Sequence, residues 1–155
     1  IRTDQSIFTR ELLNELFKLI FHGATKKEIQ EFIAKKLEDF SKANLIEIGI
    51  SKGISKPFEK YKANTPHVRG AIYSNTYLGT NFHSGDKVQV LWVKGVEGLP
   101  STNVICFNED TDLSGYNIVV DWEHMKRVSI LEKVKPILNA LELEISLNNS
   151  KQAKL

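Results

Sequence analysis

Gly85-Asp86-Lys87-Val88-Gln89-Val90-Leu91-Trp92-Val93-Lys94-Gly95 is the stretch on which the fold turns. A Gly-Asp pair makes a turn, and residues 87–94 then read as a strand. Val88, Val90 and Trp92 fall on one face of it, Leu91 and Val93 on the other. Residues 95–100, rich in Gly and ending in Pro100, turn the chain. Val104, Ile105, Cys106 and Phe107 supply a second short strand, expected to pair antiparallel with the first. A polar, acidic loop follows at 108–117.

Working outward, the rest of the chain has mostly helical periodicity. Phe8, Leu12, Leu13, Leu16, Phe17 and Ile20 repeat at helical spacing through residues 5–21, and His22-Gly23 supplies a stop. Thr25 with Glu28 three residues later is a capping-box signal. It opens a second amphipathic helix, with Ile29, Phe32, Ile33, Leu37 and Phe40 on one face and lysines mostly on the other. The short connection makes the two an antiparallel pair. Residues 45–50 are short and Ile-rich, with Glu47 alternating outward, and read as a strand. Residues 51–70 are basic and broken by Gly and Pro. Pro57 and Pro66 each suit the first turn of a short helix, with Thr65 capping the second. Residues 121–141 read as a last helix, capped by Asp121, striped by Val128, Leu131, Val134, Leu138 and Leu141, and kinked at Pro136. The reading is α+β: a helix majority, a small antiparallel strand set and a long C-terminal helix.

With 155 residues and 41% of them hydrophobic, the chain is one domain's worth with a core of its own. It divides into 1–147 and a polar tail at 148–155. It begins at Ile1 rather than Met, so we expect a piece of a longer polypeptide. No apolar run approaches the roughly 20 residues that cross a bilayer. The lone Cys106 excludes a disulfide framework and a Cys-based zinc site, and suits a reducing cytoplasmic interior. A net charge of +2 argues at first against a strongly basic nucleic-acid binder. The sum hides segregation. Residues 51–94 carry 7 Lys/Arg and 2 Asp/Glu, whereas residues 95–124 carry 0 and 6. Two faces of opposite sign follow from that pattern.

Few constellations could carry chemistry. His22, His67, His83 and His124 show no metal-ligand spacing with one another. Asp110-Thr111-Asp112 pairs two carboxylates as two-metal phosphoryl-transfer sites do. Its flanks, however, are Asn108, Glu109 and Ser114-Gly115, which read as a flexible solvated loop. The basic block is the stronger candidate. Lys52, Lys56, Lys60, Lys62 and Arg69 lie among Ser51, Ser55, Tyr61, Asn64 and Thr65. Cations neutralise phosphates, and hydroxyls and helix-start N–H groups hold register on a nucleic-acid backbone. An ordinary solvated basic face fits the same residues equally well.

Tyr61-Lys62-Ala63-Asn64-Thr65-Pro66-His67-Val68 resembles the Tyr-Lys-Ala-x-x-Pro-His-Val run of archaeal family B DNA polymerases. Ile54-Ser55-Lys56 is similar to the Ile-Thr-Arg/Lys before it. Ile1-Arg2-Thr3-Asp4-Gln5-Ser6 resembles Val-Arg-Arg-Asp-Trp-Ser. Gly85-Asp86-Lys87-Val88 and Val93-Lys94-Gly95 match Pro-Gly-x-x-Val and Leu-Lys-Gly, and the Pro136 helix resembles a final Val-Leu-Pro-x-Val helix. These motifs keep their order across roughly residues 1–141. Thr3, Gln5 and Asn64-Thr65 depart from the family, and 72–84 is a residue or two longer, which suggests a crenarchaeal type.

The resemblance implies the thumb of a DNA-directed DNA polymerase, detached from the exonuclease, fingers and palm domains that would be its partners. Its expected ligand is primer–template double-stranded DNA. Lys52, Lys56, Lys62 and Arg69 would neutralise phosphates. Ser55, Tyr61 and Asn64 would hydrogen-bond the backbone, and Arg2 and Asp4 would position the strand nearest the palm. His67 would be either a contact or a packing residue. No catalytic residue and no metal ligand is expected in this chain. The Mg²⁺ of the complete enzyme would sit on the palm, whose Asp-Thr-Asp precedes this region, so Asp110-Thr111-Asp112 is a coincidence of sequence. No sliding-clamp-binding peptide is readable after Leu141. The rival reading is a basic adaptor or assembly domain that binds a protein partner through its helix pair and acidic loop.

Overall fold

The computed structural model describes residues 4–62 and 65–141. The fold is α+β: helices packed on a small antiparallel sheet. α1 (Ile7–Phe21) starts at Ser6, whose Oγ accepts the Thr9 N–H at 3.1 Å. It ends before Gly23, whose φ of 81° lets the Ala24 N–H reach back to the Leu19 carbonyl. α2 (Lys26–Phe40) opens on the expected capping box: Thr25 and Glu28 each accept the other's backbone N–H, at 3.1 and 2.8 Å. The two helices pack together and are bridged by Lys36 and Glu15 at 3.1 Å.

The sheet is organised by β2 (Lys87–Val96). β1 (Ile50–Gly53) and β4 (Ile118–Val120) pair with its two halves, and β3 (Val104–Phe107) pairs through Leu91↔Ile105 and Val90↔Cys106. Both faces of β2 are covered. Leu91, Val93 and Val96 join the main core with Leu12, Leu16, Ile33, Phe40, Met125 and Val134. Val88 and Val90 join a second cluster with Ile54, Ala71, Phe82, Val104 and Cys106. α4 (Pro66–Tyr77) lies against β3 on this second side. Ser74 Oγ accepts the Cys106 N–H at 2.9 Å, satisfying a backbone donor of β3 from the helix.

Three expectations change, and one strand is added. Residues 45–50 are not one strand: α3 (Leu45–Ile48) is a helical turn, and β1 starts only at Ile50. A short apolar run does not distinguish a strand from a buried turn. The tertiary structure does so here, because Gln89 Nε2 donates to the Ile46 carbonyl at 2.7 Å. Residues 118–120, which lie between the expected acidic loop and the last helix, form β4, and their Ile-Val-Val run pairs with β2 across an irregularity at Gly95. Pro57 precedes a single 3₁₀ turn (Phe58–Lys60), and Thr65 stands at the start of α4 without a side-chain capping bond.

The last helix is capped by Asp121, whose Oδ1 accepts the His124 N–H at 3.1 Å. It is not uniform: α5 (Trp122–Lys126) passes through a π segment (Arg127–Leu131) into α6 (Glu132–Ala140). The π turn adds one residue to the repeat. Buried positions therefore fall at Met125, Ile130, Val134 and Leu138. Val128 and Leu131 rotate partly out, and Leu141 is 43% exposed. The π segment ends at Leu131, and Pro136, which has no N–H, cannot donate to the carbonyl of Glu132 four residues before it. The tail at 148–155 lies outside the described residues.

Candidate nucleic-acid interface

Tyr61 organises the basic block. The chain leaves β1 at Gly53, passes Ser55 and Lys56, makes the 3₁₀ turn and returns at Tyr61. The Tyr61 hydroxyl accepts the Ser55 N–H at 3.0 Å and lies 3.2 Å from Ser55 Oγ. The Lys56 ammonium sits over the Tyr61 ring, 5.0 Å from its centroid. His67, in the first turn of α4, meets the same ring edge-on at 5.8 Å. The side of Tyr61 nearer the interior packs on the cluster of Ile54, Ala71 and Phe82. Hydrogen bonding from Ser55 holds the Tyr61 phenol below its ordinary pKa, against the opposing effect of desolvation.

Around this hub the charges have different partners. Lys52 Nζ is 3.6 Å from Asp4 Oδ2, so its charge is shared. His67 is half-buried, and its Nε2 is shielded from solvent with no hydrogen-bond partner. Burial, and then the nearby Lys52 charge, lower its pKa below the usual imidazole value; the Gly53 carbonyl acts in the opposite direction. The imidazole thus packs edge-on against Tyr61 with its Nε2 turned away from solvent. Lys56 and Lys62 form no ion pair among the described residues. Arg69 is drawn to the β2–β3 connection, where its Nη2 donates to Asn103 Oδ1 at 2.8 Å.

The structure therefore brings together Asp4, Lys52, Ser55, Lys56, Tyr61 and His67, and turns Arg69 toward Asn103. Lys62 follows the hub directly in the chain. Arg2 and Asn64 lie outside the described residues. Sequence reading missed Ser6, Thr9, Ser129 and Lys133, which line one cavity with Asp4 and Lys52. The spacing of Ser6 and Thr9 across a helix start was the only local signal.

The acidic loop carries hydrogen bonds of its own. Asp112 Oδ1 accepts the Ser114 N–H at 3.0 Å and its hydroxyl at 2.6 Å, and Asn108 Oδ1 accepts from Thr111 at 2.9 Å. The Ser114 contacts hold the Asp112 carboxyl below its ordinary pKa. Among the described residues no group of three His, Cys, Asp or Glu side chains could hold a metal ion. Nor is any described helix long and apolar enough to cross a membrane. Cys106 is buried, and desolvation pushes its thiol up to about 12, leaving it a poor nucleophile. No protein-family model matches the chain, and no curated protein resembles it significantly.

Proposed function

We propose that this chain is the thumb portion of a DNA-directed DNA polymerase, working in the cytoplasm and gripping primer–template duplex through its phosphate backbone. The observation that carries the reading is the Tyr61 hub. It gathers Ser55, Lys56 and His67 into one ordered cationic and hydroxyl-bearing surface, beside Lys52 and Lys62. Such groups position a duplex without reading its sequence. Nucleotidyl transfer belongs to the palm with its divalent ions, and no step of it is carried by this chain. The residue types and order that resemble the archaeal family B thumb support the same reading.

Fluorescence-anisotropy titration with a primer–template duplex tests it. With about two to four phosphates neutralised, raising salt from 50 to 200 mM should weaken binding by roughly 10- to 150-fold. Lys56→Glu combined with Lys62→Glu should abolish most of that binding. Unchanged affinity in the double variant would refute the assigned surface. Nucleotide incorporation by the 155-residue chain alone would refute the division of labour.

One observation favours the alternative, a domain that docks on a protein. Phe21 is 86% exposed and Phe17 52% exposed, on one side of the end of α1 beside Lys18 and His22. An apolar pair so exposed suits a protein contact. Within the polymerase reading the same patch would face a neighbouring domain.

A further inference from the structure

We propose that the cavity between the start of α1, β1 and the π segment is a phosphate-binding subsite; this deepens the DNA reading above and rests on it. The cavity has a volume of about 310 Å³ and is lined from three distant parts of the chain. Ser6 and Thr9 come from the cap and first turn of α1, Lys52 from β1, and Ser129 and Lys133 from the C-terminal helix. Ser6 Oγ donates to Thr9 Oγ1 at 2.9 Å, and Thr9 Oγ1 donates to the Ser129 carbonyl at 2.8 Å. Those hydroxyl protons are committed. The Ser129 hydroxyl is not: the residue is 2% exposed, and its Oγ has no hydrogen-bond partner. Folded proteins seldom retain a buried polar atom without a partner, and such an atom calls for an explanation. The π segment buries Ser129 here, and π turns recur at functional sites.

The electrostatics favour an oxyanion over a cation. α1 has no acidic residue in its first turn, so the positive end of its dipole is not offset there. Two carboxylates also line the cavity, and each has a basic partner. Asp4 Oδ2 is 3.6 Å from Lys52, and Glu132 Oε2 is 3.6 Å from Arg127 Nε. Lys133 has no ion pair among the described residues. One phosphate group would engage the Lys133 ammonium, the Ser129 hydroxyl and the helix start together. Lys52 joins this cavity to the Tyr61 surface, so a backbone phosphate of a bound duplex is within its scope, as is free phosphate.

Ser129→Ala and Lys133→Gln, made separately in the full chain, test the proposal with two probes. Inorganic phosphate, followed by NMR at low ionic strength, should shift the Ser129 and Lys133 amides saturably, and each variant should weaken that response. With primer–template duplex, Lys133→Gln should weaken binding about threefold to tenfold and lower the salt slope by about one. Ser129→Ala should weaken binding while leaving stability unchanged or higher, because its hydroxyl has no partner to lose. A response to the duplex alone assigns the site to the backbone diester. A response to inorganic phosphate alone assigns it to the free ion. If neither probe perturbs the site while Lys56→Glu with Lys62→Glu still weakens the duplex, the subsite is refuted and the DNA surface stands. If that pair also has no effect, both readings fall.

Discussion

Gly70→Ala tests how α4 is seated, and with it the placement of His67. A Cβ built at Gly70 would lie 3.0 Å from Cys106 Sγ, 3.1 Å from the Ile105 carbonyl carbon and 3.2 Å from Val104 Cγ2. All three distances are shorter than ordinary van der Waals contact. The Ile105 atom is backbone at the middle of β3, fully buried, so it cannot rotate away. Helix propensity alone would make alanine better than glycine by about 1 kcal/mol. Overpacking of a filled interior costs about 1–3 kcal/mol. With a rigid backbone neighbour the upper part of that range applies, and the net loss should be about 1–2 kcal/mol. Urea unfolding followed by circular dichroism reads this as a lower midpoint at unchanged slope. Adding Cys106→Ala removes the nearest of the three neighbours and should recover about 0.5–1 kcal/mol in a double-mutant cycle. Gly53→Ala is the control, since a Cβ there meets nothing within 4 Å. A Gly70→Ala protein as stable as the parent, or more so, would refute the close seating of α4 on β3.

Two further outcomes follow from the packing and the protonation states. Phe40 is fully buried and meets Phe8 and Trp122 edge-on at 5.0 and 6.0 Å, so Phe40→Ala should cost about 3–5 kcal/mol by thermal or urea unfolding. A loss under about 1.5 kcal/mol would show that this three-element contact is not central. His67 has a folded pKa below its unfolded value, about 6.5. As pH falls, the unfolded chain takes up this proton first. The stability linked to neutral His67 is thus complete above about pH 6.5 and is lost as pH falls through the lower folded value. His67→Gln should lack that part of the acid sensitivity between pH 7.5 and 5, measured as the difference between two stability–pH curves. An NMR titration midpoint for His67 at or above 6.5 would contradict its burial beside Lys52.

Much of the candidate surface was legible because its members are close in sequence. Ser55, Lys56, Tyr61 and His67 span thirteen positions, and one 3₁₀ turn suffices to fold them onto a single ring. The partners that decide which charges remain available were not legible. Asp4 reaches Lys52 across 48 positions, and Asn103 holds Arg69 across 34. No local pattern announces either pair. Ser129 was hidden for another reason: the strict helical repeat directs attention to Val128 and Leu131, and only a π turn brings its neighbour inward.

By itself the sequence determined the elements whose signals are local. The Thr25–Glu28 capping box, the Asp121 cap and the two-faced strand at 87–94 each depend on neighbours within a turn or along one strand. Only the tertiary structure decided that residues 45–48 coil instead of extend, that Ile118–Val120 pairs with β2, and that Gly70 must remain small. In each case the deciding atom belongs to a segment dozens of residues away: Gln89 at the Ile46 carbonyl, the second half of β2 beside β4, and the β3 backbone beneath α4. Short segments hold too little local free energy to choose their own conformation, so the packing around them makes the choice.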